Sequence, residues 1–527
     1  MKNIFTFLCI FITAAANAQT TFKTNINTGG DNYIFEVIQI SDGSYIGIGA
    51  RNINEDDRDI LLVKLNPQGG LLSSITIGTS GYDEGISIIK TSDGGFAVSG
   101  TMNNKLGILK FDASLNLLWK KIYPRLSESY GIRIIQTVEG GFIVIGKAYD
   151  DDSFGNTGYL VKTDNLGNLL LARQYFGFSS NDNSITDIAA TSDGNYVILA
   201  QVSSYDFAND ESHDTTYLAK INPTGNILWS KYIETGANSN YSVSLLQASD
   251  GGLVIAGAVN KLVNYMGSPT ELTQMLMTKF NAAGTLLWSK SISTSNISTS
   301  RAYSVVEDND GGYIFSGGIS DLDNTPGDTT SGYIVKLSSG GTLQWTKTID
   351  KYLYSTDYLS TFASIIHTTD GGYAASGFIL NESGGEFISN GIIYKFDNNF
   401  NICGYVGSNG SIANKGSGIS KNIAVYNITP AAANINLTLK SAGTALNNCN
   451  AVVNTYTFNG NGNWSVAANW SNSTIPPSPL PQNSQIIINP AGNGECILNV
   501  PFTIPQGNKI TVQTGKKFRL LGNLTIK

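Results

Sequence analysis

Histidine is almost absent from this sequence, and its scarcity excludes several kinds of catalytic site. The 527 residues include two histidines, His213 and His367. A Ser-His-Asp triad needs an imidazole beside a nucleophile and an acid, and a histidine-based zinc site needs several imidazoles close together. His213 stands in the polar stretch Glu211-Ser212-His213-Asp214, with no second histidine near it. Neither kind of site is therefore expected.

Cysteine is also scarce. The chain has four cysteines, and the three that follow Cys9 are Cys403, Cys449 and Cys496. A cysteine nucleophile is therefore excluded from most of the chain. Cys403 and Cys449 flank one connecting segment, and we predict a disulfide between them in an oxidising compartment. Cys496 is then left without a disulfide partner.

Basic residues do not outnumber acidic residues either. The chain has 33 Lys and Arg against 40 Asp and Glu, which gives a formal net charge of -7 at pH 7. An acidic chain without a basic stripe cannot collect phosphate contacts, so nucleic acid is excluded as a partner.

Long apolar runs are missing after the N-terminus. No later stretch approaches the roughly 18 consecutive apolar residues of a membrane span, so no transmembrane segment is expected. Residues 1–18 look like a secretory signal, with Lys2 near the start, an apolar run from Ile4 to Ile12 and the small-residue site Ala16-Asn17-Ala18. We expect cleavage near Ala18 and a secreted or cell-surface location.

The sequence is rich in glycine, with 57 glycines in all. Some of them belong to an internal repeat. Seven lysines, about 46 to 59 residues apart, each close a short apolar run: Lys64, Lys110, Lys162, Lys220, Lys279, Lys336 and Lys395. Seven acids, each followed by glycine, precede them: Asp42, Asp93, Glu139, Asp193, Asp250, Asp310 and Asp370. Short strands at such a period indicate radial β repeats, in which no unit can bury both faces alone.

Each repeat contains four strand-like runs, so the sequence predicts an all-β, seven-bladed β-propeller over residues 19–407. The acid-glycine turn joins the first two strands, because glycine supplies the positive φ of a tight hairpin and the acid bonds to the turn backbone. The ring needs a closing strand. Two arrangements stay open: the N-terminal run Thr21 to Ile26 pairs into the last blade beside the run from Ile402 to Val406, or instead of it.

Three repeated positions are predicted to be structural. The residue after each turn should be core: Tyr45, Phe96, Phe142, Tyr196, Leu253, Tyr313 and Tyr373. Each repeat lysine should reach its turn acid, since both lie at the same rim of a blade. His367 fills the first-strand position held by Gln136 and Gln247 in other repeats, so it too is assigned a structural role.

Three fragments of the repeat carry a family resemblance: Lys220-Ile221-Asn222, Lys279-Phe280-Asn281 and Leu228-Trp229-Ser230-Lys231. Together with the Asp-Gly-Gly-aromatic turns, they resemble the repeats of secreted bacterial Asp-Gly-Gly type β-propeller proteins, over residues 31 to 407. The resemblance implies a fold and an extracellular setting, but no single activity, because such propellers serve many functions.

The composition changes after residue 407. Residues 408–453 are predicted to be a β-rich connector, and residues 454–527 a small C-terminal β domain. The last part resembles the opening rungs of bacterial surface β-helices, and Gly507-Asn508 and Gly522-Asn523 suggest a rung of about 15 residues. Trp464 and Trp470 are interpreted as packed core residues in preference to sugar-stacking platforms.

Clustered carboxylates are the remaining candidates for chemistry. Asp321, Asp323 and Asp328 alternate along one connection between a second and a third strand, and calcium prefers several oxygens from such loops. The run lacks the closing bidentate glutamate of helix-loop-helix calcium sites. Two interpretations stay open: a calcium site, or solvated turn acids. No other cofactor is expected.

Two classes of function follow. The first is an exported, non-enzymatic binding or scaffold propeller whose ligand is a polysaccharide or a surface protein, bound at the loop-rich face. The second is a carbohydrate-active enzyme, a glycoside hydrolase or lyase, that uses loop carboxylates. We favour the first, because the acids cluster in loops of uneven length. An axial pocket with two carboxylates would favour the second.

Overall fold

The structure is a computed structural model. It describes residues 19–53, 57–123, 128–150, 155–175, 183–206, 211–234, 240–265, 268–293, 298–321, 329–353, 361–383, 386–402, 411–414, 417–420, 425–427, 438–441, 444–447, 455–480, 484–504 and 508–526. The signal-like residues 1–18 lie outside this set.

Twenty-eight strands build the first part of the chain. They are β1 (Phe22–Asn27), β2 (Asn32–Gln39), β3 (Tyr45–Asn52), β4 (Arg58–Leu65), β5 (Leu71–Gly78), β6 (Glu84–Lys90), β7 (Phe96–Met102), β8 (Lys105–Phe111), β9 (Leu117–Ile122), β10 (Glu128–Gln136), β11 (Phe142–Asp150), β12 (Gly155–Thr163), β13 (Leu169–Tyr175), β14 (Asn183–Ala190), β15 (Tyr196–Asp206), β16 (Glu211–Ile221), β17 (Ile227–Glu234), β18 (Asn240–Gln247), β19 (Leu253–Tyr265), β20 (Ser268–Phe280), β21 (Leu286–Ser293), β22 (Ser298–Glu307), β23 (Tyr313–Asp321), β24 (Thr329–Leu337), β25 (Leu343–Leu353), β26 (Thr361–His367), β27 (Tyr373–Ser383) and β28 (Glu386–Phe396).

These strands form the predicted seven-bladed propeller. Blades 1 to 6 are the antiparallel sheets β2 to β5, β6 to β9, β10 to β13, β14 to β17, β18 to β21 and β22 to β25. Blade 7 contains β26, β27, β28 and then β1, so the N-terminal strand closes the ring. Phe22 pairs with Lys395, and this pairing decides between the two arrangements that the sequence left open.

Apolar layers between successive blades form the core. Each layer takes side chains from two neighbouring blades, as the layer between blades 7 and 1 does with Phe22, Ile26, Ile34 and Tyr45. The position after each acid-glycine turn is buried in all seven blades, as predicted: Tyr45, Phe96, Phe142, Tyr196, Leu253, Tyr313 and Tyr373.

The acid-glycine turns have one geometry. In blade 2, Gly94 N–H donates to the Thr91 carbonyl, Gly94 has φ +83°, and Gly95 N–H donates to Asp93 Oδ1 at 3.0 Å. The predicted lysine contact forms in five blades: Lys110 to Asp93, Lys220 to Asp193, Lys279 to Asp250, Lys336 to Asp310 and Lys395 to Asp370. Lys64 and Lys162 act on Asp42 and Glu139 electrostatically.

These contacts make the turn acids more acidic. Partial burial of Asp93 opposes its ionisation, but hydrogen bonds from Thr91, Lys110 and Gly95 lower its pKa from 3.8 to about 2. The pKa values of the other six turn acids are lowered as well.

The replacement Asp93→Asn is therefore expected to destabilise the protein in a pH-dependent way. A carboxyl whose pKa is lowered by folding stabilises the fold above its unfolded pKa, and that contribution disappears as pH falls through the folded pKa. Asp93 is 57% exposed, so screening limits the loss at pH 7 to about 1 kcal/mol or less. Urea unfolding of the two proteins should converge as pH falls from 4 to about 2. An equal difference at pH 7 and pH 2 would contradict this assignment.

A rim segment follows the last blade. Its strands are β29 (Ser411–Asn414), β30 (Ser417–Ser420), β31 (Val425–Asn427), β32 (Thr438–Ser441) and β33 (Thr444–Asn447). Each adds a fifth, antiparallel strand to the outer edge of a different blade, in the order 5, 4, 3, 1 and 7. The segment therefore runs around the propeller against the direction of the blades.

The C-terminal part is a short β-solenoid. Its strands are β34 (Thr455–Phe458), β35 (Gly462–Asn463), β36 (Gln485–Ile488), β37 (Glu495–Leu498), β38 (Phe502–Ile504), β39 (Lys509–Val512), β40 (Lys517–Leu520) and β41 (Leu524–Ile526), with 3-10 turns at Ala467–Asn469 and Ser471–Ser473. They pair in parallel as three sheets. Ser484 N–H donates to Asn508 Oδ1, 24 residues away, so the expected rung of 15 residues was too short.

Candidate functional site

A cavity, which we call the channel, lies on the propeller axis, and a repeated irregularity of the innermost strands shapes it. The innermost strand of each blade has a β-bulge at the same place, between Ile34 and Glu36 in blade 1 and between Gly131 and Arg133 in blade 3. A bulge turns a side chain that would otherwise follow the strand alternation. The seven bulged residues line the channel, which has a volume of about 200 Å³: Phe35, Ile86, Ile132, Thr186, Val243, Tyr303 and Ala363.

Three charged side chains, each directly after a bulged residue, meet at the axis. Arg133 of blade 3 contacts Glu36 of blade 1 at 2.5 Å and Asp187 of blade 4 at 3.2 Å. Each carboxylate also accepts a backbone N–H from the next blade, Glu36 from Ile88 at 2.6 Å and Asp187 from Leu245 at 2.7 Å. We call Glu36, Arg133 and Asp187 the axial triad.

The electrostatics of the axial triad indicate a structural role. Burial raises the pKa of Asp187, and attraction to Arg133 does not cancel this effect. Attraction to Glu36 raises the pKa of Arg133. The axis does hold two carboxylates, the feature expected of an enzyme, but both are committed to one guanidinium and to backbone amides. These contacts support a structural role for both carboxylates.

A larger depression opens beside the channel mouth, between blades 2 and 3. We call it the first cleft. Its volume is about 560 Å³, and its lining residues are Tyr82, Glu84, Ile86, Asn104, Glu128, Tyr130, Gly131, Ile132, Lys147, Tyr149 and Asn156. They come from the starts of first and third strands and the end of a second strand. The first cleft therefore lies on the face of the second-to-third-strand connections, which the sequence singled out.

A two-residue turn holds the wall of the first cleft. Asn103 and Asn104 link β7 to β8 with φ values of 51° and 59°, a left-handed conformation that asparagine tolerates well. The Asn104 N–H donates to the Tyr82 carbonyl at 3.3 Å, and the Asn104 carbonyl accepts from Ser129 N–H at 3.1 Å. The turn therefore links the starts of the first strands of blades 2 and 3.

One side of the first cleft carries a chain of polar contacts. Arg58 donates to the Tyr82 hydroxyl at 2.5 Å, and Tyr82 donates to Glu84 Oε2 at 3.0 Å. The Arg58 guanidinium also lies over the rings of Tyr33 and Tyr82, at 5.0 and 5.1 Å. Burial raises the pKa of Tyr82 to about 12 and raises the pKa of Glu84 despite the nearby Arg58.

The opposite side carries a second phenol and carboxylate. The Tyr130 hydroxyl donates to Glu128, and the Lys147 ammonium lies 5.5 Å from the centre of the Tyr130 ring. Burial, followed by the contact with Glu128, raises the pKa of Tyr130. Tyr82 and Tyr130 therefore stay protonated at neutral pH and are unsuited to act as bases. Their half-buried rings offer apolar faces beside carboxylate and amide groups.

The predicted calcium and disulfide sites lie largely outside the described residues. Asp321 is the last residue of β23, and Asp323, Asp328, Cys403 and Cys449 are all outside the described set. Both sites stay predictions. Within the described ranges, no group of three or more histidine, cysteine or carboxylate side chains is placed to hold a metal ion. No helix among the described residues is long and apolar enough to cross a membrane.

Among the remaining sequence candidates, His367, Trp464 and Trp470 have structural roles. His367 Nε2 lies 2.5 Å from the Glu307 carbonyl of blade 6, and its ring packs on Tyr373. His213 lies within strand β16, not in a loop. Trp464 and Trp470 are buried together in the solenoid, where Trp470 Nε1 donates to the Trp464 carbonyl at 2.7 Å. Cys496 is a buried free thiol in the same core.

The chain is only distantly similar to proteins of known structure. No protein-family model and no curated protein matches the sequence. The solved polysaccharide lyase Uly1 is 10% identical, with a TM-score of 0.42 over 72% of this chain and 100% of that chain. An ulvan lyase of polysaccharide lyase family PL25 is 9% identical, with a TM-score of 0.42 over 71% and 96%. Plexin A from Drosophila, in complex with semaphorin 1b, is 10% identical, with a TM-score of 0.33 over 70% and 88%. At these values the likenesses say nothing about activity.

Proposed function

We propose that this protein is exported, loses residues 1–18, and binds a glycan in the first cleft. The observation that carries the proposal is the lining of that cleft. Tyr82, Tyr130 and Tyr149 provide aromatic surface in a depression of about 560 Å³, a size typical of small-ligand sites. Glu128 and Asn156 add polar groups at the same site. A sugar presents C–H faces that pack on rings and hydroxyls that bond to carboxylates and amides.

The position of the first cleft supports the same proposal. It lies on the face where second-to-third-strand connections vary in length, while the acid-glycine turns of the opposite face are uniform. Variable loops on a rigid scaffold are where binding sites usually lie. A surface protein as ligand would require a broader contact area than this cleft provides.

Removing one aromatic ring from the first cleft is expected to weaken glycan binding. We predict that Tyr130→Ala binds a glycan-array ligand of the chain lacking residues 1–18 about tenfold more weakly, equivalent to about 1.4 kcal/mol. The matched control is Tyr232→Ala, a half-buried tyrosine on the outer strand of blade 4. Melting temperatures verify that both variants fold. Equal affinity of Tyr130→Ala and wild type, or no binding to any arrayed glycan, would refute the proposal.

One observation favours glycoside hydrolysis as a second candidate function. Glu84 has a raised pKa and shares the first cleft with a second carboxylate, Glu128. Glycosidases use two carboxyl groups, one of which has a raised pKa and acts as the acid. Incubating the bound glycan with the protein should then release reducing ends, and the rate should fall as pH rises through the Glu84 pKa. Glu84→Gln should abolish release but keep binding. Binding without release would leave the non-enzymatic function.

A further inference from the structure

A second depression lies on the same face, on the other side of the channel mouth. We call it the second cleft. It has a volume of about 330 Å³ and takes residues from blades 4, 5 and 6, among them Asp214, Tyr241, Asn260, Arg301 and Tyr303.

The second cleft repeats the key position of the first. Tyr130 stands two residues before the bulged Ile132 of blade 3, and Tyr241 stands two residues before the bulged Val243 of blade 5. Since the bulges have the same place in every blade, the two tyrosines occupy equivalent positions around the channel mouth. Tyr241 is 43% exposed, which leaves much of its side chain open to a ligand.

The bulged residues join the two clefts into one surface. Ile86 and Ile132 line both the first cleft and the channel, and Tyr303 lines both the second cleft and the channel. The two clefts and the channel mouth are therefore continuous, with apolar and aromatic side chains between them.

Like the first cleft, the second cleft contains a carboxylate and an amide. Ser203 donates to Asp214 Oδ1 at 2.5 Å, and Thr273 donates to Asn260 Oδ1 at 3.0 Å. Arg301 is exposed at the position equivalent to Glu84 of blade 2. A ring, a carboxylate and an amide thus recur at both ends of the continuous surface.

We infer that the first cleft, the channel mouth and the second cleft form one groove that holds a linear polysaccharide across the propeller axis. This inference rests on the proposed glycan binding and names its substrate class: a chain long enough to occupy both clefts. A compact, branched glycan fills one cleft only. A long polymer can bind both clefts at once. Once one part of the chain is bound in one cleft, the rest of the chain is at a high effective concentration near the other cleft, so affinity depends on chain length.

The test uses the polysaccharide that the glycan array identifies, partially hydrolysed and fractionated by length. Calorimetry with each fraction should show a step in affinity, about tenfold or more, at the length that reaches the second cleft. Tyr241→Ala should remove this step and leave the affinity for short fragments unchanged. Tyr130→Ala should weaken binding at every length, and Tyr232→Ala at none.

The outcomes separate this inference from the proposed function. Length-independent affinity, or a step that survives in both Tyr241→Ala and Arg301→Ala, overturns the continuous groove while glycan binding at the first cleft stands. Loss of short-fragment binding in Tyr241→Ala places the primary site in the second cleft and overturns both assignments. Absence of binding at all lengths refutes both as well.

Discussion

The double replacement Phe22→Ala and Ile26→Ala is expected to remove cooperative folding of the propeller. Both side chains belong to β1, the strand that closes blade 7, and neither is exposed. Phe22 packs edge-on against Tyr45 of blade 1, with 5.3 Å between ring centroids. Truncating a buried phenylalanine costs about 3–5 kcal/mol and a buried isoleucine about 2–5 kcal/mol. Their sum approaches the whole net stability of an ordinary domain, about 5–15 kcal/mol.

The loss should be larger than that of an equal cavity elsewhere, because β1 also completes a sheet. Its pairing with β28 covers an edge that would otherwise be open, and its other edge pairs with β33 of the rim segment. Lys23→Ala is the matched control. Its side chain lies on the other side of the strand, 5.6 Å from the Tyr394 ring, and its loss should cost about 1 kcal/mol or less.

Urea unfolding followed by tryptophan fluorescence measures both variants. The double variant should show a broad or missing transition, and Lys23→Ala a transition close to that of the wild type. A sharp wild-type transition in the double variant would mean that the ring is closed without β1.

The seven-bladed fold was predictable because its signals are local and repeated. The residue types of each acid-glycine turn, such as Asp93-Gly94, predict the geometry of that turn. Seven copies of the turn indicate seven blades. The lysine at the end of each third strand, Lys110 for example, lies one strand away from its acid in the same blade. Position within a repeat therefore sufficed to predict the turn and the contact between the lysine and the turn acid.

The candidate site was not predictable in the same way, because it depends on contacts between blades. Glu36, Arg133 and Asp187 belong to three different repeats, and nothing local to any of them indicates that they meet. The bulge that brings them to the axis is a backbone irregularity with no fixed residue type. Aligning the seven first strands would have shown charged residues at this position in three repeats, and tyrosines two residues before the bulged residue in three: Tyr33, Tyr130 and Tyr241.

The rim segment escaped prediction for a related reason. Its alternating residues, such as Thr438 to Ser441, indicate a strand but not the partner of that strand. Each of its described strands pairs with a blade edge far away in sequence. The local residue pattern of a strand does not show which distant strand it pairs with.

The replacement Arg133→Met is expected to cause the other large loss of stability, and the loss should depend on pH. Arg133 lies between Glu36 and Asp187, whose side chains are 12% and 3% exposed. Removing one partner of a buried ion pair typically costs about 3–5 kcal/mol, because the remaining charge is left uncompensated. We expect about 3 kcal/mol, the lower end, since the Arg133 side chain is 37% exposed to the channel.

The sign of the pH dependence follows from the Asp187 pKa. Burial already raises this pKa, and losing Arg133 removes the attraction that opposes the rise. A carboxyl whose folded pKa exceeds its unfolded value destabilises the fold increasingly as pH rises from the unfolded pKa to the folded one. The difference between wild type and Arg133→Met should therefore be largest at neutral pH and shrink toward pH 4, as Asp187 takes up a proton in the folded variant.

A second substitution distinguishes uncompensated charge from lost packing. Glu36→Gln keeps an oxygen for the Ile88 N–H but removes one negative charge, so the pair Arg133→Met with Glu36→Gln should recover part of the lost stability. Urea unfolding at pH 7 and pH 4 measures all four proteins of this cycle. If Arg133→Met loses the same stability at both pH values, and Glu36→Gln restores none of it, the triad contributes through packing alone. Recovery by Glu36→Gln that is greater at pH 7 than at pH 4 would establish the axial charges as the contacts that hold blades 1, 3 and 4 together.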